Sequence, residues 1–139
     1  MAIKKQAFYE GAALHLLVRT GRLTSIRHET PFFVLNEQVF VYFKYSTRSR
    51  SPWGFTFAPD EQIILERSSK ECRVVIAFIC GADGVATVDY DTYRTIAAPK
   101  SAALHIACRR RHGKHYAVSG PDGTSTGKIA PSTWLRIVT

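Results

Sequence analysis

Gln38-Val39-Phe40-Val41-Tyr42-Phe43-Lys44-Tyr45-Ser46-Thr47 reads as a strand that carries a lysine near its end, followed by small polar residues. Side chains alternate along an extended chain, so Val39, Val41 and Phe43 point one way and Phe40, Tyr42 and Lys44 the other. A second run, residues 31–35, precedes it, and Asn36-Glu37 supplies a short turn between the two. With a two-residue turn, Phe33 pairs with Phe40 and joins the face of Tyr42 and Lys44. A slip of one residue would move it to the opposite face.

Upstream, residues 4–20 read as a helix ended by Gly21, with Arg19 suitably placed in its last turn. Its apolar residues spread widely around the axis, which predicts a largely covered helix. Glu10 shares a stripe with Ala13, Leu14 and Leu17. Either it reaches water at the stripe's margin, or it is an acid aimed at a site. Downstream, residues 46–52 form a loop with Arg48 and Arg50, and residues 53–57 a short aromatic strand. Ala58-Pro59-Asp60 opens a helix to about Ser69, with Asp60 and Glu61 near its positive end. Residues 73–80 are almost continuously apolar, as in a central strand covered on both faces. A turn at 81–84 and a strand at 85–88 follow, and residues 89–96 begin a loop or helix. Residues 103–109 alternate, and 114–119 can pair with them across His112-Gly113. Residues 133–138 read as a final strand.

Composition bounds the class. The chain has 139 residues, 45% hydrophobic and 22% charged, which suits one globular domain. No apolar run reaches membrane-spanning length. Glu10 and His15 interrupt the stretch that follows Lys4 and Lys5, so the N-terminus does not read as a signal peptide, and the expectation is cytoplasmic. Cys72, Cys80 and Cys108 form neither a CxxC motif nor a disulfide framework. The net charge is +8. Residues 99–139 hold seven basic residues against Asp122 alone, whereas residues 1–98 hold twelve basic and ten acidic. The surplus in the last third points to a polyanion partner.

The order of elements, helix, strand pair with lysine, helix, buried strand, strand, resembles the PD-(D/E)XK nuclease superfamily, particularly archaeal Holliday-junction resolvases and restriction-endonuclease-like small domains. Tyr42-Phe43-Lys44-Tyr45-Ser46-Thr47 stands where that family carries Glu-x-Lys and small polar residues. Pro31-Phe32-Phe33 stands where a member would carry Pro-x-Asp. Glu10 matches the first-helix acid, and Gln62 a glutamine often found after the motif. The resemblance covers residues 5 to 88. It implies an α/β fold with a restriction-endonuclease-like mixed central sheet, flanking helices and a C-terminal β extension: a core over 1–98 and a basic β-hairpin extension over 99–139, packed on the same domain. In such nucleases the acids hold a divalent metal that activates water, and the lysine assists. Here Phe33 and Tyr42 replace the acids, so the resemblance implies a degenerate site of Glu10, Phe33, Tyr42, Lys44 and Gln62, with no cofactor. The alternative is an active magnesium-dependent nuclease with relocated acids drawn from Glu10, Glu37, Asp89 and Asp91.

The expected function is a non-catalytic nucleic-acid-binding or regulatory protein, with DNA favoured over RNA and no membrane partner. A protein-interaction module with incidental polyanion binding is the other alternative, and a homodimer or protein partner is compatible with either. The phosphate-contacting candidates are Arg48 and Arg50 beside Trp53, and the run Arg109, Arg110, Arg111, Lys114 and His115 at the hairpin tip, with Tyr116 and Trp134 available for stacking. Lys44 has a plainer reading, an ammonium reaching water over Tyr42 and Phe40. His105, Cys108, His112 and His115 mimic a zinc pattern, but strand alternation puts His105 and Cys108 on opposite faces.

Overall fold

The lysine strand pairs in parallel with the apolar run, and the rest of the molecule is arranged around that ladder. In the computed structural model, which describes residues 2–125 and 127–138, β3 (Val39–Ser46) lies beside β5 (Arg73–Cys80) from Val39↔Arg73 to Ser46↔Cys80. A parallel pair needs a crossover, here formed by β4 (Trp53–Phe57) and helix α2 (Pro59–Ser69). Antiparallel neighbours complete the first sheet. β1 (Ile26–Glu29) and β2 (Phe32–Leu35) lie on the β3 side and β6 (Gly84–Asp89) lies beyond β5, in the order β1-β2-β3-β5-β6. A second, antiparallel sheet takes β4 with β7 (Leu104–Arg110), β8 (Tyr116–Gly120) and β9 (Gly123–Thr124). The last third thus shares a sheet with a strand that precedes residue 98.

β5 is buried from residue 74 to 80 because its two faces have different covers. Val74, Ile76, Phe78 and Cys80 meet Trp53, Phe55, Phe57, Ile106, Cys108 and Tyr116 of the second sheet. Val75, Ala77 and Ile79 meet α1 (Lys5–Val18) and a 3-10 helix, Pro131–Arg136. Helix α3 (Tyr90–Ile96) adds Tyr93 and Ile96 to the inter-sheet core, and the Asp89 side chain caps it by accepting from Thr92 N–H. No described helix is long and apolar enough to cross a membrane.

Three expectations need correction. The turn between β2 and β3 has three residues, with Leu35 opposite Val39. Asn36 sets it: its Oδ1 accepts from the backbone N–H groups of Thr24 and Ser25, its Nδ2 donates to the Arg22 carbonyl, and both Asn36 and Glu37 adopt φ of 53°. Phe33 therefore pairs with Val41 and packs on Phe43, on the side away from Tyr42 and Lys44, while Phe32 packs beside Tyr42. The expected final strand is instead the 3-10 helix. Pro131 opens it, and Trp134, fully buried, donates its indole N–H to the Ala13 carbonyl of α1. Helix α1 is not largely covered. Among the residues of α1 only Ala13 and Leu17 are buried, against the first sheet and the 3-10 helix, whereas Phe8, Leu16 and Val18 face solvent.

Candidate nucleic-acid interface

The hairpin β7–β8 forms as the sequence predicts, with Arg110 opposite Tyr116 and a tip of residues 111–115 in which Gly113 takes φ of 72°. Alternation sends Leu104, Ile106 and Cys108 into the core and leaves His105 and Arg109 exposed on the other face. His105 and Cys108 thus lie on opposite faces of the strand. The outward face of the second sheet has short side chains: Gly54 and Thr56 on β4, Ala107 on β7, Ala117 and Ser119 on β8. His105 lies over Gly54, where an added Cβ would come within 2.8 Å of its Nε2.

At the tip end of this face lies a shallow depression of about 510 Å³. Arg109, Arg111, Lys114, His115 and Lys128 surround Ala117 and Ser51 there, and among the described residues no acid lines it. Lys128, one of the seven basic residues of 99–139, joins the site although its place in the chain does not announce it. Ile129 bridges to Tyr116 and so brings Lys128 to the tip, a pairing invisible across the turn-rich loop before it.

Arg110 is a different case from its neighbours. Its guanidinium donates to Asp83 Oδ2 at 2.8 Å and to the Lys114 carbonyl at 2.6 Å, and Tyr116 donates to the same carboxylate at 2.5 Å. Arg110 thus ties the tip to the β5–β6 turn. The bond to Asp83 holds the Arg110 proton more firmly than usual. Burial disfavours charge on Asp83, but Tyr116 and Arg110 outweigh it and hold the carboxyl below its ordinary range. Burial, then the bond to Asp83, pushes the Tyr116 hydroxyl well up. A lowered carboxyl contributes stability above the unfolded value, and that contribution is lost as pH falls through the folded value. Asp83→Asn should therefore cost about 1 kcal/mol or less at pH 7, since the Asp83 side chain is 34% exposed. Urea midpoints of the two proteins should converge as pH falls through the folded value of Asp83; a gap that stays constant with pH would assign the loss to packing instead.

The loop with Arg48 and Arg50 abuts the same end. Ser51 Oγ accepts from the Arg110 backbone N–H, and the Trp53 indole donates to the Arg48 carbonyl. Gly81, at φ +55°, makes room for that carbonyl where a Cβ would stand. Both arginines are exposed. Tyr116 and Trp134 are 0% and 1% exposed, so the expected stacking on them does not occur, and Trp53 is buried as well. Their large rings fill the space between layers.

The residues grouped by the nuclease resemblance do not converge. Glu10 is on α1, across the first sheet from Lys44, and accepts from Gln6. Phe33 faces that same side. Gln62 is buried and ties three backbone segments, donating to the Phe57 and Ala102 carbonyls and accepting from Lys100 N–H. Of the proposed substitute acids, Glu37 pairs with Arg27 and Asp89 caps α3. Lys44 does meet an acid, Glu61 at 2.8 Å, with the Phe57 ring beneath its ammonium at 4.9 Å. Tyr42 faces the same carboxylate, and burial followed by that charge pushes its hydroxyl up. Glu61 was legible as a helix N-terminal acid, but its pairing with Lys44 follows only from the crossover. Comparison with known proteins returns no matching family model, no matching curated protein and no matching solved structure.

Proposed function

We propose that this chain binds nucleic acid, DNA foremost, through the hairpin tip and outward face of the second sheet, and that it does not cut it. The observation that carries this reading is the cluster of exposed cations, Arg109, Arg111, Lys114 and Lys128, with His115 beside them, around a depression that no described acid lines. Exposed cations without counter-charges attract phosphates and release their counterions on binding. In this reading the fold is of restriction-endonuclease-like descent. The antiparallel β2–β3 pair followed by a helical crossover to parallel β5 supports that descent. Affinity for a labelled DNA should fall steeply between 50 and 200 mM salt, by an amount set by the number of phosphates contacted. Binding indifferent to salt would favour a protein-interaction module instead.

One observation favours a second reading, an active metal-dependent nuclease. Glu61, with Asp60 before it, gives Lys44 a carboxylate neighbour that the strand itself lacks. In the leading reading that carboxylate serves as the counter-charge of Lys44. Incubation with DNA and magnesium or manganese separates the two. Cleavage that Glu61→Gln abolishes would establish the second reading; an intact substrate supports the first.

A further inference from the structure

We infer that the ligand of this face is a double helix gripped through its sugar–phosphate backbone, without base stacking and without sequence preference; this rests on the nucleic-acid reading above. The inference begins with where the aromatic residues are. Proteins that bind single strands combine a basic groove with exposed aromatic rings, because each unstacked base offers a π-face. The second sheet is rich in aromatics, yet Trp53, Phe55, Phe57 and Tyr116 all point into the core. Its outward face has Gly54, Thr56, Ala107, Ala117 and Ser119, with the exposed His105 over Gly54 and Arg109 toward the tip. The exposed Phe, Tyr and Trp side chains among the described residues are Phe8 and Tyr45, both on the α1 side of the first sheet. A single strand lying on the cationic face would find charge and the small imidazoles of His105 and His115, but no Phe, Tyr or Trp ring to stack on.

The same face suits a duplex. Short side chains let a broad, rigid rod approach the sheet closely, and the cations stand at one end where they can straddle phosphates. Base edges are read by side chains that reach into a groove, whereas phosphate contacts carry no sequence information. Lys100, at the far end of the face, is paired with Asp122 at 3.0 Å, which leaves the tip as the principal source of free charge. Four contacts from Arg109, Arg111, Lys114 and Lys128 would give a log–log salt slope of about −3.6 on duplex and about −2.8 on single strands.

The test is fluorescence anisotropy with the full chain, two duplex DNAs of unrelated sequence, a duplex RNA and a single-stranded DNA of equal length, over 50 to 200 mM sodium chloride. The expected result is binding of a duplex at least tenfold tighter than the single strand, with the two DNA sequences within threefold. The duplex RNA arm identifies which double helix is preferred. Single-strand binding within tenfold of the duplex or tighter, or more than a threefold preference between the two DNA sequences, would overturn the inference alone. Binding to none of the probes would overturn both it and the nucleic-acid reading.

Discussion

Reversing Arg109, Arg111 and Lys114 to glutamate should lower duplex affinity several hundredfold at 0.1 M salt. Each phosphate contact releases about 0.9 of a counterion, worth about eightfold at 0.1 M relative to 1 M, and three such factors multiply to roughly 500. Repulsion from the new carboxylates adds to that loss. The salt slope should become shallower by about 2.7. Arg110 is left in place because its guanidinium is bound to Asp83 and the Lys114 carbonyl. The three altered residues are exposed, so far-UV circular dichroism and Tm should stay close to those of the parent. An affinity that survives the triple reversal would remove the tip from the binding surface.

Phe78→Ala should be the most damaging single core substitution described here. Phe78 is fully buried at the centre of β5, and its ring lies 4.9 Å from Phe55 and 6.0 Å from Phe57 on the facing sheet. Removing a buried phenylalanine costs about 3–5 kcal/mol, the lost transfer energy plus the cavity left behind. Domains of this size are stable by about 5–15 kcal/mol, so the variant should sit near its unfolding threshold at 25 °C. Urea titration should show a much lower midpoint. Phe8→Ala, at a site 61% exposed, serves as the control and should change stability by less than about 0.5 kcal/mol. A Phe78→Ala loss below about 1 kcal/mol would mean that the two sheets do not bear on one another through this residue.

Much of the fold is legible because it follows local pattern. The continuous apolar run of β5 requires cover on both faces and has it. The alternation of β3 and β7 separates the two faces of each strand correctly. What is not legible depends on partners distant in sequence. β1, Ile-Arg-His-Glu, has all four residues exposed and no apolar rhythm to announce it. The β2–β3 register is set by Asn36 reaching back to residues 22–25, and one extra turn residue moves Phe33 across the sheet. Arg110 and Arg111 are indistinguishable as a dipeptide, yet Asp83, 27 positions away, holds the first of them. Gln62 matches a motif position by spacing, while its three backbone bonds explain it as a fastener. The basic tip was visible because like charges in a short turn must stay near one another however the rest folds.

β1 has a further consequence. It is the outermost strand of the first sheet, the kind of open margin onto which another chain can add a strand. Arg27 stands in its middle, bound to Glu29 at 2.5 Å and to Glu37 at 3.1 Å. An incoming strand would have to lie against this row of ions and disturb their hydration. The charged margin of β1 thus disfavours strand addition at that edge of the first sheet.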